Sequence, residues 1–279
     1  MKVTYFGTTT LLFDDGRDQI LFDAHLTRPS LVRYLFGKGE TDRALAEELI
    51  RLHRIDRLRA IFVSHSHHDH VMDAPALAAL CGAEVYGTSS TLNVARGGGV
   101  PEEWLHAFSG GESFPLGSYR ITVLPSLHSK PTALNNDLGQ TIDAPLRQPA
   151  RLRDYKEGGS FDFLVEAQGK RFLIRPSFNY IEGQLDGVRA EVLFLGVAGL
   201  AKADSETEAR FFAETVDKVR PKLVIPVHWD NFFSPLDRPA RGMPGLIEHT
   251  ELSFFKLARA CEARQISCLI QLPRTSVEL

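Results

Sequence analysis

The feature of this sequence that most limits what it can fold into is the run His65-Ser66-His67-His68-Asp69-His70. Three imidazoles and one carboxylate, at positions 65, 67, 70 and 69, are of the residue types that bind transition metals. Histidine-rich tags and storage tracts are terminal or repetitive, whereas this run is internal and contains an aspartate. Residues 59–64 before it predict a buried strand, and Asp73–Leu80 after it predicts a helix. The sequence therefore predicts a metal site on a loop between a strand and a helix.

Bulk composition indicates an ordinary soluble protein. The chain has 279 residues, of which 43% are hydrophobic and 24% charged, and residues 1–279 are predicted to form a single domain. A net charge of −3 provides no basic surface for nucleic acid. No apolar run approaches the roughly 20 residues that span a bilayer, and the strand-like Val3–Phe6 does not resemble a signal peptide. We expect a cytoplasmic protein in which Cys81, Cys261 and Cys268 are buried free thiols.

Alternating strand and helix patterns predict a layered α/β architecture. Strands are predicted at 3–13, 19–22, 59–64, 83–87, 119–124, 161–167, 171–175, 191–197, 222–227 and 266–272. Helices are predicted at 41–53, 73–80, 89–95, 205–219 and 248–263. The irregular stretch Lys130–Gly159 is predicted to be either a lid or binding loop, or disordered.

Two more histidines share the sequence context of the metal motif. His128 and His228 each follow an apolar strand, at 121–124 and 223–227, as the motif itself does. This repeated placement predicts that both join the metal site. The other histidines lack that context, and we expect them at surface, structural or supporting positions: His25, His53, His68, His106 and His249.

Together these residues give the chain a resemblance to a known family. The spacing is similar to that of the metallo-β-lactamase-fold hydrolases over nearly the whole chain. The resemblance implies an α/β fold, a four-layer αβ/βα sandwich of two mixed sheets with outer helices and metals at one edge. It implies two metal ions, one held by His65, His67 and His128, and the other by Asp69, His70 and His228.

The sequence departs from the family pattern at one position. Most of these hydrolases carry a metal-bridging aspartate after the strand equivalent to Arg171–Arg175, where this chain has Ser177. Either His70 completes two sites of three ligands each, or the second metal binds weakly and the enzyme works with one. We favour two metals. Glu182 and Asp186 are candidate substitutes for the missing carboxylate.

Two neighbouring cations would lower the pKa of a shared water and present a metal-bound hydroxide to an electrophile, with Asp69 as the catalytic carboxylate. The predicted function is therefore metal-dependent hydrolysis of an ester, lactone, amide or phosphodiester. We expect two zinc ions, with manganese or iron as alternatives, and a small-molecule or lipid-like substrate. The resemblance points loosely to sugar-phosphate lactonases and N-acyl phospholipid phosphodiesterases.

Several other residues are candidates for substrate or supporting contacts. Ser177 and Trp229 could lie around the metals or touch substrate. Phe232 and Phe233 could form an apolar wall with Trp229, although ordinary core packing explains all three. Basic side chains in the 130–159 loop could pair with an anionic substrate or be solvated: Arg147, Arg151 and Arg153.

Three other functions fit parts of the sequence. A mononuclear iron oxygenase on the same fold is consistent with Ser177. A nuclease is disfavoured by the net charge, and a non-catalytic metal-binding or partner-binding module is disfavoured by the complete ligand set. A homo-oligomer is compatible with the sequence.

Overall fold

Two mixed β-sheets form the centre of the computed structural model, which describes residues 1–131 and 136–279. The strands of the first sheet are β1 (Lys2–Gly7), β2 (Thr10–Asp14), β3 (Gln19–Phe22), β4 (Leu58–Phe62), β5 (Glu84–Gly87), β6 (Leu105–Ala107) and β14 (Thr275–Glu278). Those of the second are β7 (Ser113–Leu116), β8 (Tyr119–Pro125), β9 (Phe161–Ala167), β10 (Lys170–Arg175), β11 (Val192–Gly196), β12 (Leu223–Val227) and β13 (Ser267–Cys268). The spatial orders are β14-β1-β2-β3-β4-β5-β6 and β13-β12-β11-β10-β9-β8-β7.

The helices are α1 (Leu31–Phe36), α2 (Arg43–His53), α3 (His68–Val71), α4 (Ala74–Cys81), α5 (Ser89–Gly97), α6 (Ser205–Phe212) and α7 (Thr250–Ala263). Side chains cap several of them: Asp42 begins α2, and Asp204 begins α6 by accepting a hydrogen bond from the Thr207 amide. Among the described residues, no helix combines the length and the apolar character needed to cross a bilayer.

Successive side chains along the strands of the first sheet point to opposite faces, and both faces are buried. One set of side chains packs against the second sheet: Val3, Tyr5, Leu11, Phe13, Ile20, Phe22, Ala60 and Phe62. Phe13, for example, meets Phe172 of β10 edge-on at 5.3 Å between ring centroids. The alternate set packs with helices α2, α4 and α5: Leu12, Leu21, Ile61, Val63 and Val85. Helices α6 and α7 contribute Phe211, Phe212 and Leu257 to the cluster that holds the second sheet. The predicted α/β fold of two mixed sheets with helices is confirmed.

The directions of the strands determine where the candidate site lies. Strands β3 to β6 are parallel, and in the second sheet β8 runs in the same direction as β10 because both are antiparallel to β9. Strands β10, β11 and β12 are parallel. The segments that leave the carboxyl ends of β3, β4, β8, β10 and β12 carry Asp23, His65–His70, His128, Ser177 and His228.

The predicted elements differ from the observed ones mainly near the carboxyl terminus. The apolar stretch 266–272 is strand only at Ser267–Cys268, and the prediction of a longer strand is wrong. The last strand is β14, whose mostly exposed side chains give no alternating apolar signal. The predicted helix 205–219 is α-helical only to Phe212 and then continues as a π-helical segment at Ala213–Asp217. Helix α1 and strands β6 and β7 were not predicted.

Two further expectations need correction or detail. Of the cysteines, Cys261 is buried, but Cys81 is half-buried and Cys268 is exposed, because β13 is a short edge strand. The described part of the loop predicted at 130–159 packs against the protein: Ala150 pairs with Gly39, and the Ile142 amide donates to Ser90. Residues 132–135 of that loop lie outside the described residues.

A buried ion pair links β9 to the end of β10. Arg175 Nη1 lies 3.3 Å from Asp162 Oδ2, and both side chains are almost fully buried. Burial raises the pKa of Asp162 to about 6, although the Arg175 charge acts in the opposite direction. Arg175 also donates through Nη2 to the Asn179 carbonyl at 2.7 Å. The pair thus holds the chain that leaves β10 toward the site.

We predict that Arg175→Met lowers the free energy of unfolding by about 3–5 kcal/mol, because Asp162 would be left as a buried and uncompensated charge. Adding Asp162→Leu should restore much of that loss. Arg59→Met is the control, since Arg59 pairs with Asp18 at the surface and should cost at most about 1 kcal/mol. Urea unfolding of the three variants measures these differences. Equal stability of Arg175→Met and the parent protein would contradict the role of the pair.

Candidate metal centre

Two groups of three side chains converge near the carboxyl ends of strands from both sheets. In each group the possible ligand atoms all lie within 4.8 Å of one another. The first trio is His65, His67 and His128, and the second trio is Asp69, His70 and His228. The loop between β4 and α3 supplies two members of the first trio and α3 supplies two of the second, while the segments after β8 and β12 supply the third member of each. The structure therefore brings together the six residues that the sequence singled out.

Three of these histidines, His65, His70 and His128, have a hydrogen-bonding contact at Nδ1. The Nδ1 of His70 donates to Asp23 at 2.7 Å, and the Nδ1 of His128 donates to the Ser129 carbonyl at 2.9 Å. The Nδ1 of His65 lies 3.1 Å from Ser64 Oγ. The Nε2 atoms of His65 and His70 are buried without a hydrogen-bond partner among the described residues. Buried nitrogens with free lone pairs, each backed by a hydrogen bond, fit metal ligands.

Charge at the second trio is centred on Asp69. Its Oδ2 lies 3.6 Å from His70 Nε2 and 3.4 Å from His228 Nε2. Burial opposes ionisation of this carboxyl, but the neighbouring imidazoles outweigh burial and hold the pKa of Asp69 well below its usual value. Contact with Asp69 likewise outweighs burial at His228 and raises the pKa of that imidazole.

At the first trio, burial lowers the pKa values of two histidines, His65 and His128. Burial, with the neighbouring rings of His70, His128 and His67 adding to it, holds the pKa of His65 well below its usual value. Burial also lowers the pKa of His128 to about 4. Neutral rings at His65 and His128 and an ionised Asp69 are the protonation states that metal binding requires, whereas the raised pKa of His228 means that an ion binding there would have to displace a proton.

Asp23 is a functional candidate that the sequence reasoning missed. It follows β3 and is 1% exposed. Besides His70, it accepts hydrogen bonds from the Ser64 amide at 2.7 Å, the Ser64 hydroxyl at 3.0 Å and the Thr9 hydroxyl. Its sequence signal was the same one that identified His128 and His228, a polar residue directly after an apolar strand.

His228 is held by the opening hairpin of the first sheet. Its backbone is left-handed, with φ at 58°, and its amide donates to the Thr8 carbonyl at 2.5 Å. Asp230 accepts from the Thr8 amide at 2.7 Å and from the Tyr5 hydroxyl at 2.8 Å. The guanidinium of Arg28 lies 2.7 Å from the other Asp230 oxygen. A buried network thus fixes a conformation that few non-glycine residues adopt.

A cavity of about 1370 Å³ opens over both trios. Aromatic side chains form the wall beside the second trio: Phe232 lies 5.5 Å from His228, 4.5 Å from Phe233 and 6.4 Å from His68, between ring centroids. Tyr34 of α1 continues this wall at 5.4 Å from Phe233. The cavity lining is therefore aromatic beside His228, and it also includes three exposed basic side chains, Lys130, Arg153 and Lys202.

The residues predicted around the metals divide between the cavity and other places. Ser177 lines the cavity and is 7% exposed, in the segment that follows β10. Glu182 lines the cavity, whereas Asp186 is exposed and pairs with Lys218. Trp229 packs in the core against Phe254 at 5.2 Å between ring centroids and is not among the residues that line the cavity.

The structure also shows where the remaining basic and histidine candidates lie. Arg153 lines the cavity, while Arg147 and Arg151 are exposed elsewhere. His25 is completely buried and packs edge-on against His68, so its position supports the site and a surface role is wrong. His68 lies outside both trios, as expected. The others have structural contacts: His53 with Phe6, His106 with Tyr86 and His249 at the start of α7.

Comparisons with known proteins agree with this geometry. A family model described as a beta-lactamase superfamily domain matches residues 18–229. A UPF0173 metal-dependent hydrolase from Methylobacterium nodulans is 25% identical over 241 residues, covering 83% of this chain and 86% of that protein. The metallo-beta-lactamase fold protein YhfI from Bacillus subtilis has a TM-score of 0.60 at 14% identity over 99% of both chains. CmlA, a diiron beta-hydroxylase from Streptomyces venezuelae, has a TM-score of 0.59 at 13% identity, covering 100% of this chain and 54% of CmlA.

The family model covers well over half of the chain. The chain therefore belongs to the beta-lactamase superfamily, among its metal-dependent hydrolases. The resemblance and the fold predicted from the sequence are both confirmed.

We predict that Asp23→Ala weakens binding of one divalent ion by about 10–100-fold, because His70 would lose the acceptor that fixes its ring and tautomer. Competition with a chromophoric chelator measures the affinity. Asp56→Ala is the matched control, since the Asp56 side chain is 70% exposed and remote from the trios. Unchanged affinity in Asp23→Ala would show that His70 needs no support from this carboxylate.

Proposed function

We propose that this protein is a dinuclear zinc hydrolase that cleaves an ester, lactone, amide or phosphodiester bond in a small or lipid-like substrate. The observation that carries the proposal is the adjacency of the two trios. The rings of His65 and His70, one from each trio, lie 3.8 Å apart between centroids. Two ions held by neighbouring trios would be close enough to act on one water and one substrate.

The donor set favours zinc, with manganese or iron as alternatives. Each trio offers three nitrogen or oxygen ligands, which would leave one position of a four-coordinate ion for water or substrate, as in catalytic zinc sites. Ser177 supplies no negative charge where most relatives of this fold have a bridging aspartate. His70, with Asp23 behind it, then has to serve as a full ligand of the second trio.

When bound, two divalent ions lower the pKa of a water and polarise a carbonyl or phosphoryl oxygen. Asp69 lines the cavity and is ionised, so it can orient the attacking water and accept its proton. The first trio contains no carboxylate, so its residues would add no negative charge to an ion, which would favour the anion that develops as the electrophile is attacked.

The cavity favours a substrate with an apolar group beside the reacting bond. Phe232, Phe233 and Tyr34 form a continuous aromatic wall next to His228. An acyl chain or an aromatic ring placed there would lose most of its contact with water. A net charge of −3 disfavours a nucleic-acid polymer as substrate.

A reducing compartment such as the cytoplasm suits the thiols of this chain. Cys81, Cys261 and Cys268 are all free. Proteins of oxidising compartments more often use cysteines as disulfides.

A mononuclear iron oxygenase is the second candidate, favoured by the absence of a carboxylate at Ser177. Purified protein that contains iron and consumes oxygen with substrate would identify it. A hydrolase would release product without consuming oxygen.

We predict that His65→Ala combined with Asp69→Ala abolishes turnover while the fold is retained, because each change removes a ligand from a different trio. A panel of lactones, phosphodiesters, aryl esters and β-lactams tests activity, circular dichroism tests the fold, and elemental analysis counts the ions. His106→Ala, a histidine outside the trios, is the control. Retained activity would contradict the assigned site, and full activity with one ion per chain would contradict the dinuclear centre.

We predict that Phe232→Ala raises the KM of aryl or long-chain esters by about tenfold, equivalent to about 1.4 kcal/mol of lost apolar contact, and leaves acetyl esters almost unchanged. The matched control is Phe255→Ala, since Phe255 lies on α7 and is 58% exposed. A uniform change in KM across all chain lengths would mean that the aromatic wall does not contact the substrate.

A further inference from the structure

Asp137 lies directly behind a member of the first trio. Its Oδ1 is 3.0 Å from the Nε2 of His67, and the two side chains are 15% and 9% exposed. Asp137 comes from the irregular segment 130–159, whose sequence gave no reason to connect it with the metal motif. No role described so far for the site uses this carboxylate.

The contact determines which nitrogen of His67 is free. An ionised carboxylate only accepts hydrogen bonds, so the Nε2 of His67 carries the proton and donates it to Asp137. In the neutral form of a ring held in this way, the lone pair is on Nδ1, for which the described residues provide no hydrogen-bond partner. Asp137 itself is outside the group of atoms that lie within 4.8 Å of one another in the first trio. It therefore acts on an ion only through His67.

Backbone contacts hold Asp137 in this position. The Gln140 amide donates to the Asp137 carbonyl at 2.9 Å, which closes a tight turn. The Gly139 amide donates to Glu157 Oε2 at 3.0 Å, and the Gly158 amide donates to the Gln140 carbonyl at 2.9 Å. The turn that carries Asp137 is thus fastened to the far end of the same loop.

The far end of the loop, at residues 156–158, is in turn hydrogen-bonded to the metal motif. The Ser66 amide donates to the Glu157 carbonyl at 2.9 Å, and the Ser66 hydroxyl donates to the Lys156 carbonyl at 2.7 Å. Gly158 has a left-handed backbone, and a Cβ there would lie 2.4 Å from Ser66 Oγ, so only glycine allows this approach. Ser66 stands between His65 and His67, which means that the loop is attached at the centre of the first trio.

We propose that Asp137 is a positioning residue that fixes the tautomer and orientation of His67 and so sets the affinity of the first trio for a divalent cation. The loop holds the Asp137 carboxylate next to His67, and the hydrogen bonds from Ser66 hold the loop in position. Histidine ligands commonly gain basicity and a fixed ring from a carboxylate behind them. The inference rests on the proposed metal-dependent function.

Titration of the metal-free protein with Co²⁺, followed by its visible spectrum and by chelator competition, tests the inference. Asp137→Ala should weaken one of the two Co²⁺-binding steps by about 10–100-fold and leave the other unchanged. Asp137→Asn should lose less, because its amide oxygen still accepts from Nε2. Asp143→Ala is the control, since Asp143 is an exposed aspartate of the same loop that bonds only to Thr141.

A second measurement keeps the test independent of metal binding. Nitrogen-15 NMR of the metal-free parent protein should show His67 protonated at Nε2, and Asp137→Ala should shift the ring toward mixed tautomers. Equal Co²⁺ affinities in Asp137→Ala and the parent protein, or a parent His67 protonated at Nδ1, would overturn the role of Asp137 while leaving the proposed hydrolase function intact.

X-ray absorption spectroscopy of the Co²⁺-loaded proteins distinguishes a positioning residue from a ligand. Loss of a coordinated oxygen in Asp137→Ala would also overturn the role of Asp137, because Asp137 would then be a direct ligand. A parent protein that binds no Co²⁺ would instead refute the proposed function, and the NMR result would still report on the contact.

Discussion

The hydrogen bonds behind the imidazoles of His67, His70 and His128 are the interactions on which this site depends. Burial favours the neutral ring, and a neutral ring has one nitrogen that donates and one that carries a lone pair. The acceptor behind the ring decides which nitrogen is which. Asp23 makes that choice for His70, the Ser129 carbonyl makes it for His128, and Asp137 makes it for His67. The six candidate ligands converge because groups from several separate elements orient them.

Support for the two trios comes from both sheets and reaches well below the cavity. Asn179 donates to the His128 carbonyl at 2.7 Å, and the carbonyl of Asn179 accepts from Arg175 of the buried ion pair. The loop after β10, which carries Ser177, therefore contributes to the site by holding His128.

Sequence patterns predicted those parts of the protein that depend on local order. His128 and His228 could be found because each follows an apolar strand, and Asp23 satisfied the same rule. Asp137 could not, because an irregular loop has no periodicity that relates it to His67. Strand β14 was missed because an exposed edge strand does not alternate, whereas the apolar stretch 266–272 does resemble a strand. Long-range pairing leaves no local pattern.

Each trio takes two side chains from the first sheet and one from the second. Neither sheet alone supplies all three members of a trio, so an ion can bind fully only after the two sheets have packed together. The contacts joining them are distant in sequence and form late when a chain folds. An ion would thus select the finished fold over its precursors, and at a concentration of 100 times its Kd it would add about 2.7 kcal/mol to the stability of that state. Bound ions would thus stabilise the packing of the two sheets against each other, in addition to any part they take in catalysis.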